Sequence, residues 1–320
     1  MSRMLRTALT ELLNIEVPVV GAPMAGVSGG ALAAAVTAAG GLGMIGVGNA
    51  ATPEAITREA DRARAAGSRF GVGLMGWALE HRADQFDATL AAGPALVSVS
   101  FGCLDPWAAR LRAAGIPVAT QVGHVEGARA AAGAGVDLIV ARGSEAGGHG
   151  LDAVATLPLL QGVLDAVDVP VLAAGGIGTG RGLAAVLAAG AAGAWVGTAL
   201  LSCPEATTDP AARARVRAAA ETGTFYGRVF DVAQRIPWPP EFGGRALAND
   251  FSRRWLGRED VLATDEAARA ELAAARATPD YDIACQYAGQ GVGLVTAERP
   301  AAEVVADLAA GAERLLRRWA

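Results

Sequence analysis

A glycine-rich segment that carries one imidazole and one carboxylate is the part of the sequence best suited to chemistry. The segment GSEAGGHG, residues 143–150, contains His149, one of only three histidines in the chain. Gly147 and Gly148 would let the backbone approach a flat ligand, because neither has a side chain. An imidazole can take a proton from a weak carbon acid near neutral pH. We therefore predict that His149 is a catalytic base beside a ligand; Glu145 receives no defined role.

Two more glycine-rich turns follow predicted strands later in the chain. The segment AGGIGTG ends one strand at Gly175 and Gly176 and then opens a helix, and WVGT ends the next strand at Gly197 and Thr198. Backbone N–H groups at such a turn bind phosphate, and the last two loops of an α/β barrel commonly do so. We predict a phosphate site held by these amides, a threonine hydroxyl and Arg181.

Other candidates have structural explanations. His124 is a rival base, although a contact at the start of a helix explains it equally, and His81 lies in a polar helical stretch. Ser28 in GVSGG matches a nucleophile elbow, but a hydrolase triad would place its histidine nearer the end of the fold, which favours a helix N-cap. GLGMIG, residues 41–46, has dinucleotide-motif spacing in the reverse structural order, and is predicted to end a helix and enter a strand.

The elements that must position these residues follow a regular alternation. Apolar runs recur every 20 to 30 residues or so, with Ala-rich helical stretches between most of them; they are 17–24, 42–48, 69–75, 95–102, 117–123, 137–143, 170–176 and 191–197. Nearly continuous apolar strands are typical of a parallel sheet that is buried on both faces. Eight such units predict a (β/α)8 TIM barrel, with a doubly wound open sheet as the alternative.

The rhythm changes after Leu201, which divides the chain into two predicted parts. Residues 1–201 form the barrel core, and residues 202–320 form a lid loop and C-terminal helices that complete the same domain over the barrel mouth. A terminal helix is expected from about Pro300. The aromatic residues of the lid are expected to exclude water and line an apolar pocket; they are Phe225, Tyr226, Trp238 and Phe242.

The composition of the chain argues against several classes of protein function. All 27 basic residues are arginine, which excludes a Schiff-base aldolase, a pyridoxal-phosphate enzyme and a Walker-type P-loop. A net charge of −5 with 5% aromatic residues argues against a nucleic-acid partner. The three cysteines are far apart, so we predict neither a metal site nor disulfides, and a reducing cytoplasm. No apolar run is typical of a membrane span.

Taken together, four motifs resemble the nitronate monooxygenase family. They are GAPMAGVSGGALAAAVTAAGGLG, GSEAGGHG, AAGGIGTGRGLAAVLAAGAAGAWVGTALL and AGQGVGLV. The resemblance is close over residues 10 to 200 and looser beyond. It implies a TIM barrel with a lid that binds FMN non-covalently. Flavin-dependent quinone reductases and enoyl-thioester reductases are also similar, so the motifs specify the family more than the reaction.

The resemblance assigns residues to the flavin motif by motif. GAPM would lie against the flavin ring, Gly176 and the Gly197–Thr198 pair would bind the FMN phosphate, and His149 matches the proposed base of the family. Arg142 and Trp195 stand where the family often has glutamine, and Gly73 where it often has asparagine. A fixed cation at Arg142 would stabilise an anionic reduced flavin. The full predicted cofactor set is Ala22, Pro23, Met24, Gln121, Arg142, Gly147, Gly148, Gly175, Gly176, Trp195, Gly197 and Thr198.

The implied reaction is oxidation of alkyl nitronates by dioxygen to a carbonyl compound and nitrite. His149 would make neutral nitroalkanes into substrates by taking their α-proton. Three alternatives stay open: an NAD(P)H-dependent FMN reductase of quinones or enoyl thioesters, a hydrolase that uses Ser28, and a phosphate-binding barrel without flavin. The expected partners are a small-molecule substrate and dioxygen, and homodimerisation stays open.

Overall fold

The computed structural model describes residues 5–67 and 69–318 and contains an eight-stranded parallel sheet rolled into a barrel. The barrel strands are Val19–Gly21 (β1), Met44–Gly46 (β2), Gly71–Met75 (β3), Leu96–Ser100 (β4), Val118–Val122 (β5), Leu138–Arg142 (β6), Val171–Ala174 (β8) and Gly193–Val196 (β9). Another strand, Gly148–Gly150 (β7), lies between β6 and β8 in sequence and joins a separate sheet.

The order of strands shows that the sheet curls back on itself. Hydrogen bonding runs β1-β9-β8-β6-β5-β4-β3-β2, and a parallel bridge from Val20 to Leu42 joins the two ends. The predicted (β/α)8 barrel is therefore confirmed, and the doubly wound open sheet is wrong. Each of the eight predicted apolar runs contains one barrel strand, within bounds that are shorter by a few residues.

Helices surround the barrel. Those of the first part are Ala8–Leu13 (α1), Gly30–Ala38 (α2), Pro53–Ala65 (α3), Gly76–Leu79 (α4), Ala83–Ala91 (α5), Asp105–Ala113 (α6), Val125–Gly133 (α7), Thr156–Leu164 (α8) and Gly180–Ala188 (α9). GLGMIG links the end of α2 to β2, as its order predicts. The Thr179 hydroxyl accepts from the N–H of Gly182 and so begins α9, the helix beside the predicted phosphate site.

Two apolar layers explain why the strands are so uniformly hydrophobic. Val20, Leu96 and Trp195 belong to a cluster inside the barrel, whereas Val19, Val97 and Val196 pack with the surrounding helices. Successive strand residues point to opposite faces, so both faces of each strand must be apolar.

The second part of the chain forms a lid with its own small core. Its elements are Pro210–Ala218 (α10), Thr224–Gly227 (β10), Val229–Gln234 (α11), Gly243–Leu247 (β11), Asp250–Trp255 (α12), Glu259–Leu262 (α13), Glu266–Ala277 (α14) and Ala301–Leu316 (α15), with short 3₁₀ turns at Thr198–Leu200 and Gln290–Leu294. Strands β10, β11 and β7 form an antiparallel sheet, and Phe230, Phe251 and Leu272 share an apolar cluster.

The terminal helix has a different place from the rest of the lid. Helix α15, which Pro300 precedes as predicted, packs against α9 and α2 on the flank of the barrel. Its contact with α9 is close: a Cβ on Gly180 would lie 2.5 Å from the Cα of Gly311. The division at residue 201 stays a prediction. No helix within the described ranges is long and apolar enough to cross a membrane; the cytoplasmic location and a homodimer stay predictions.

Candidate active site

A cavity of about 600 Å³ opens where the barrel strands end, between their loops and the lid. This volume lies in the range of sites that hold cofactors and small substrates. All thirteen predicted site residues line the cavity, namely Ala22, Pro23, Met24, Gln121, Arg142, Gly147, Gly148, His149, Gly175, Gly176, Trp195, Gly197 and Thr198. The structure therefore brings them together, while their individual roles stay predictions. Arg181 is exposed and does not line the cavity.

The glycine-rich turn after β8 exposes backbone N–H groups at the cavity. Gly176 has a φ of +70°, in the left-handed region that favours glycine, and a Cβ built there would meet nothing within 4 Å. Within the described ranges, the N–H groups of Gly176 and Gly178 donate to no other protein group. Both residues line the cavity beside the start of α9. Such amides are suited to an anionic group.

Glu145 fixes the GSEAGGHG loop to the barrel, a role that the sequence did not reveal. Its Oε2 atom accepts from both the N–H and the hydroxyl of Thr156, at 2.7 Å each, and so holds the first turn of α8. Its carbonyl oxygen accepts from the N–H of Gln290 at 2.9 Å. Gly147 packs on the same AGQG segment, since a Cβ there would lie 2.5 Å from the nitrogen of Gly289.

Arg142 is a buried cation that supports the same loop. Its Nη2 atom donates to the carbonyl oxygens of Ala146, Gly147 and Gly148 at 3.0, 3.1 and 2.8 Å. The side chain also lines the cavity, and no carboxylate in the described part of the chain forms an ion pair with it. Burial lowers the pKa of Arg142 to about 10, so the guanidinium stays charged at neutral pH.

His149 lies on β7 and is fixed by the lid. Its Nε2 atom is 3.0 Å from both carboxylate oxygens of Asp231, on α11. The Trp238 ring stacks on the imidazole, with centroids 3.7 Å apart and an angle of 8° between the planes. The side chains of His149 and Asp231 are only 9% and 2% exposed, so the pair is shielded from bulk water. Opposite His149 in the sheet stands Gly244, which leaves room for the ring.

Tyr287 completes this cluster. Its hydroxyl donates to Oδ1 of Asp231 at 3.4 Å, and its ring lies 5.1 Å from the imidazole of His149. Burial, with Cys285 and Asp231 nearby, raises the pKa of Tyr287 well above its ordinary value. The phenol therefore remains a hydrogen-bond donor to the carboxylate.

The other candidate residues are occupied elsewhere. His124 begins α7 and accepts from the N–H of Gly127 at 2.8 Å, which is the helix-start contact considered above. His81 is exposed, in a turn after α4 rather than in a helix. The N-cap prediction for Ser28 is wrong: Gly29 precedes α2, the N–H of Gly30 is bound by Glu59, and the Ser28 hydroxyl donates to the carbonyl of Ala22.

The expectation for the lid aromatic residues is right for one of the four. Trp238 lines the cavity, whereas Phe225 packs on Phe230 inside the lid. The Tyr226 hydroxyl donates to the carbonyl of Gly150 and so joins β10 to β7. Phe242 packs edge-on against Phe101, one of the barrel residues that line the cavity. Phe225 thus packs within the lid, and Tyr226 and Phe242 join the lid to the first part of the chain. Trp238 covers the imidazole.

Sequence reasoning missed Asp231 and Tyr287. The available signal for Asp231 was an isolated acid in the apolar stretch VFDVA, at a position that is 2% exposed in the structure. Buried acids need partners, so such a position indicates one. Among the described residues, no group of three or more histidine, cysteine or acidic side chains is arranged to hold a metal ion.

Fold and site together define an α/β-barrel enzyme with a cavity at the carboxyl ends of its strands, which is where such barrels carry their active sites. The family model described as nitronate monooxygenase matches residues 6–75 and 76–311. The chain belongs to the nitronate monooxygenase family and is an oxidoreductase. A nitronate monooxygenase of Paraburkholderia phytofirmans is 34% identical over 358 aligned residues, which cover 95% of this chain and 94% of that protein.

Other relatives extend the comparison. The (3aS,4S,5R,7aS)-5-hydroxy-7a-methyl-1-oxo-octahydro-1H-indene-4-carboxyl-CoA dehydrogenase of Rhodococcus jostii is 39% identical over 205 residues, which span 63% of this chain but only 57% of that relative. The structure of FabK from Thermotoga maritima superposes with a TM-score of 0.86 at 28% identity, over 98% of both chains. Nitroalkane oxidase from Streptomyces ansochromogenes gives a TM-score of 0.83 at 33% identity, over 98% of this chain and 100% of that one.

Proposed function

We propose that the chain is an FMN-dependent monooxygenase that oxidises alkyl nitronates with dioxygen to a carbonyl compound and nitrite. Neutral nitroalkanes become substrates when His149 removes their α-proton. One observation carries the proposal: the same cavity joins the Gly176 and Gly178 amides, which have no hydrogen-bond acceptor among the described residues, to an imidazole fixed at its lid side. The first is suited to a cofactor phosphate and the second to acid–base chemistry on a substrate between them.

The residues present fit FMN. The free N–H groups of Gly176 and Gly178 beside α9 would bind the phosphate, with the Gly197–Thr198 turn next to them. Gly148, with a φ of +73° and nothing within 4 Å of a built Cβ, leaves room for a flat ring. The cavity side of Ala22, Pro23 and Met24 is the apolar surface that the ring would cover. FMN bound there would accept an electron from the nitronate, and dioxygen would complete the oxidation.

The residues of the chain contribute position and proton transfer. His149 takes the proton from the carbon next to the nitro group, and that C–H electron pair moves into the carbon–nitrogen bond to give the nitronate. Trp238 and the lid limit the access of water to the imidazole. A preformed nitronate needs no proton removed and therefore does not need this step.

The absorption spectrum of the purified protein is the first test. We expect a flavin spectrum, or its appearance after reconstitution with FMN, followed by aerobic turnover of propionate-3-nitronate with release of nitrite. A protein that stays colourless after reconstitution would contradict the proposal and favour a barrel without flavin or a hydrolase. The buried Ser28 hydroxyl, which is bound to a carbonyl, already argues against the hydrolase.

A second candidate is an NAD(P)H-dependent FMN reductase of quinones or enoyl thioesters. The 39% identity to a carboxyl-CoA dehydrogenase of Rhodococcus jostii favours it, because the name of that relative specifies a CoA thioester. Anaerobic mixing separates the two. Flavin bleaching by nitronate but not by NADH or NADPH supports the monooxygenase, and rapid bleaching by the nicotinamides supports the reductase.

A further inference from the structure

We infer that Asp231 is a positioning residue that holds His149 as the tautomer protonated on Nε2, so that Nδ1 is the atom that takes the substrate proton. The inference rests on the proposed role of His149 as base and deepens it. It begins from the contact of Nε2 with both oxygens of the carboxylate at 3.0 Å. A carboxylate can only accept, so the nitrogen that faces it must carry a proton.

The other ring nitrogen is the one left for chemistry. Within residues 5–67 and 69–318, no protein group forms a hydrogen bond with Nδ1 of His149, and the residue lines the cavity. With Nε2 protonated, Nδ1 has a free lone pair. The α-proton of a nitroalkane therefore moves to Nδ1, its C–H electron pair forms the carbon–nitrogen double bond of the nitronate, and the imidazole becomes an imidazolium.

The Asp231 carboxylate also stabilises the positive charge that this step creates on the imidazole. The imidazolium keeps its proton on Nε2, which still donates a hydrogen bond to the carboxylate of Asp231. The negative charge of the nitronate lies on the Nδ1 side of the ring. Asp231 is 2% exposed and sits among apolar lid residues, so water competes little for the contact. The proton on Nδ1 returns to water after the nitronate has been consumed, which restores the starting tautomer.

Tyr287 sets the orientation of the carboxylate and makes the inference testable. Its hydroxyl donates to Oδ1 of Asp231 at 3.4 Å. In an Asp231→Asn protein, the amide oxygen would take this position to accept from Tyr287, and the amide NH₂ would face Nε2 of His149. Nε2 must then accept, so the proton moves to Nδ1 and the base is lost. The comparable exchange in a serine protease triad acts through the wrong tautomer.

The kinetic test compares a neutral nitroalkane with its preformed nitronate on the holoenzyme. For Asp231→Asn we expect the ratio of nitroalkane to nitronate turnover to fall by roughly 10²-fold, within the range of general-base catalysis. Adding Tyr287→Phe to that variant frees the amide to turn its oxygen to Nε2, and should restore part of the ratio. Asp250→Asn is the control: it breaks an exposed lid ion pair with Arg253 that does not line the cavity, and should leave the ratio as in the parent.

A direct measurement does not depend on turnover. The ¹⁵N spectrum of the imidazoles separates protonated from bare nitrogens, and three histidines are few enough to assign by substitution. We expect Nε2 protonated in the parent and Nδ1 protonated in Asp231→Asn. A parent imidazole protonated on Nδ1, or a variant with an unchanged ratio, would overturn the inference. A parent that turns over neither substrate would overturn the proposed function instead, and the spectrum would still decide the tautomer.

Discussion

Trp238 lies parallel to His149, with the ring centroids 3.7 Å apart and 8° between the planes. The two residues come from different parts of the chain, since His149 is on β7, between barrel strands β6 and β8, and Trp238 follows α11 in the lid. Together with Asp231 at the ring edge, this stacking leaves the imidazole little freedom to rotate. The position of the imidazole therefore depends on lid packing as much as on the barrel.

Trp238→Leu should weaken proton abstraction without removing the base. An aromatic contact is worth about 0.5–1.5 kcal/mol, which corresponds to a roughly two- to tenfold loss of nitroalkane turnover when the ring position is no longer held. Trp107→Leu is the control, because Trp107 packs on Phe86 at the outside of the barrel and does not line the cavity. Steady-state rates on nitroalkane and on nitronate check the prediction, and equal losses in the two variants would contradict it.

His149→Ala should lose activity on neutral nitroalkanes while keeping its FMN. Removal of a general base costs about 10²–10⁴-fold, and no other histidine lines the cavity among the residues described. The turnover of a preformed nitronate should fall far less. His124→Ala serves as the control, since that imidazole caps α7 outside the cavity. Equal nitroalkane turnover by His149→Ala and the parent would remove this residue from the mechanism.

The barrel and the loops that line its cavity could be predicted from sequence, but the partner of His149 could not. Barrel strands and glycine-rich turns are local patterns of apolar residues and glycines, and such patterns can be recognised in a single sequence. The contact between His149 and Asp231 joins residues 82 positions apart through the pairing of β7 with β11. No spacing rule specifies that pairing, and nothing in VFDVA says which residue satisfies its buried acid.

Arg142→Gln should make the reduction potential of bound FMN more negative. The buried guanidinium lines the cavity without a carboxylate partner in the described chain, so its charge would favour an anionic reduced flavin. A loss of ~1.4 kcal/mol would appear as a shift of about 30 mV for a two-electron couple. Potentiometric titration of the two holoproteins measures this. An unchanged potential would leave Arg142 with only its role as donor to the carbonyls of residues 146–148.

Glu145→Ala should loosen the GSEAGGHG loop and destabilise the fold. The substitution removes both hydrogen bonds to Thr156 at the start of α8, and the loss of such a cap costs about 1 kcal/mol. We expect a lower free energy of unfolding in urea and a larger Kd for FMN by fluorescence quenching. Glu145→Gln keeps an acceptor oxygen and should lie between the two. Glu126→Ala, which changes an exposed acid in the first turn of α7, is the control; equal effects there would contradict the assignment.

Two thiols with raised pKa values should make the protein less stable at alkaline pH. Burial raises the pKa of Cys203 to about 12 and that of Cys285 further, whereas Cys103 is exposed. Thiols in the unfolded state ionise at about pH 8.5, so the unfolded state releases these protons first. The free energy of unfolding therefore falls as the pH rises above that value toward 12.

At pH 8.5, iodoacetamide should label Cys103 in the native protein and all three thiols in denaturant, as counted by mass spectrometry. A Cys103→Ser protein should label far more slowly, because the raised pKa values of Cys203 and of Cys285, which lines the cavity, keep both thiols protonated. Rapid native labelling of Cys203 would show that its site opens to solvent, contrary to the structure.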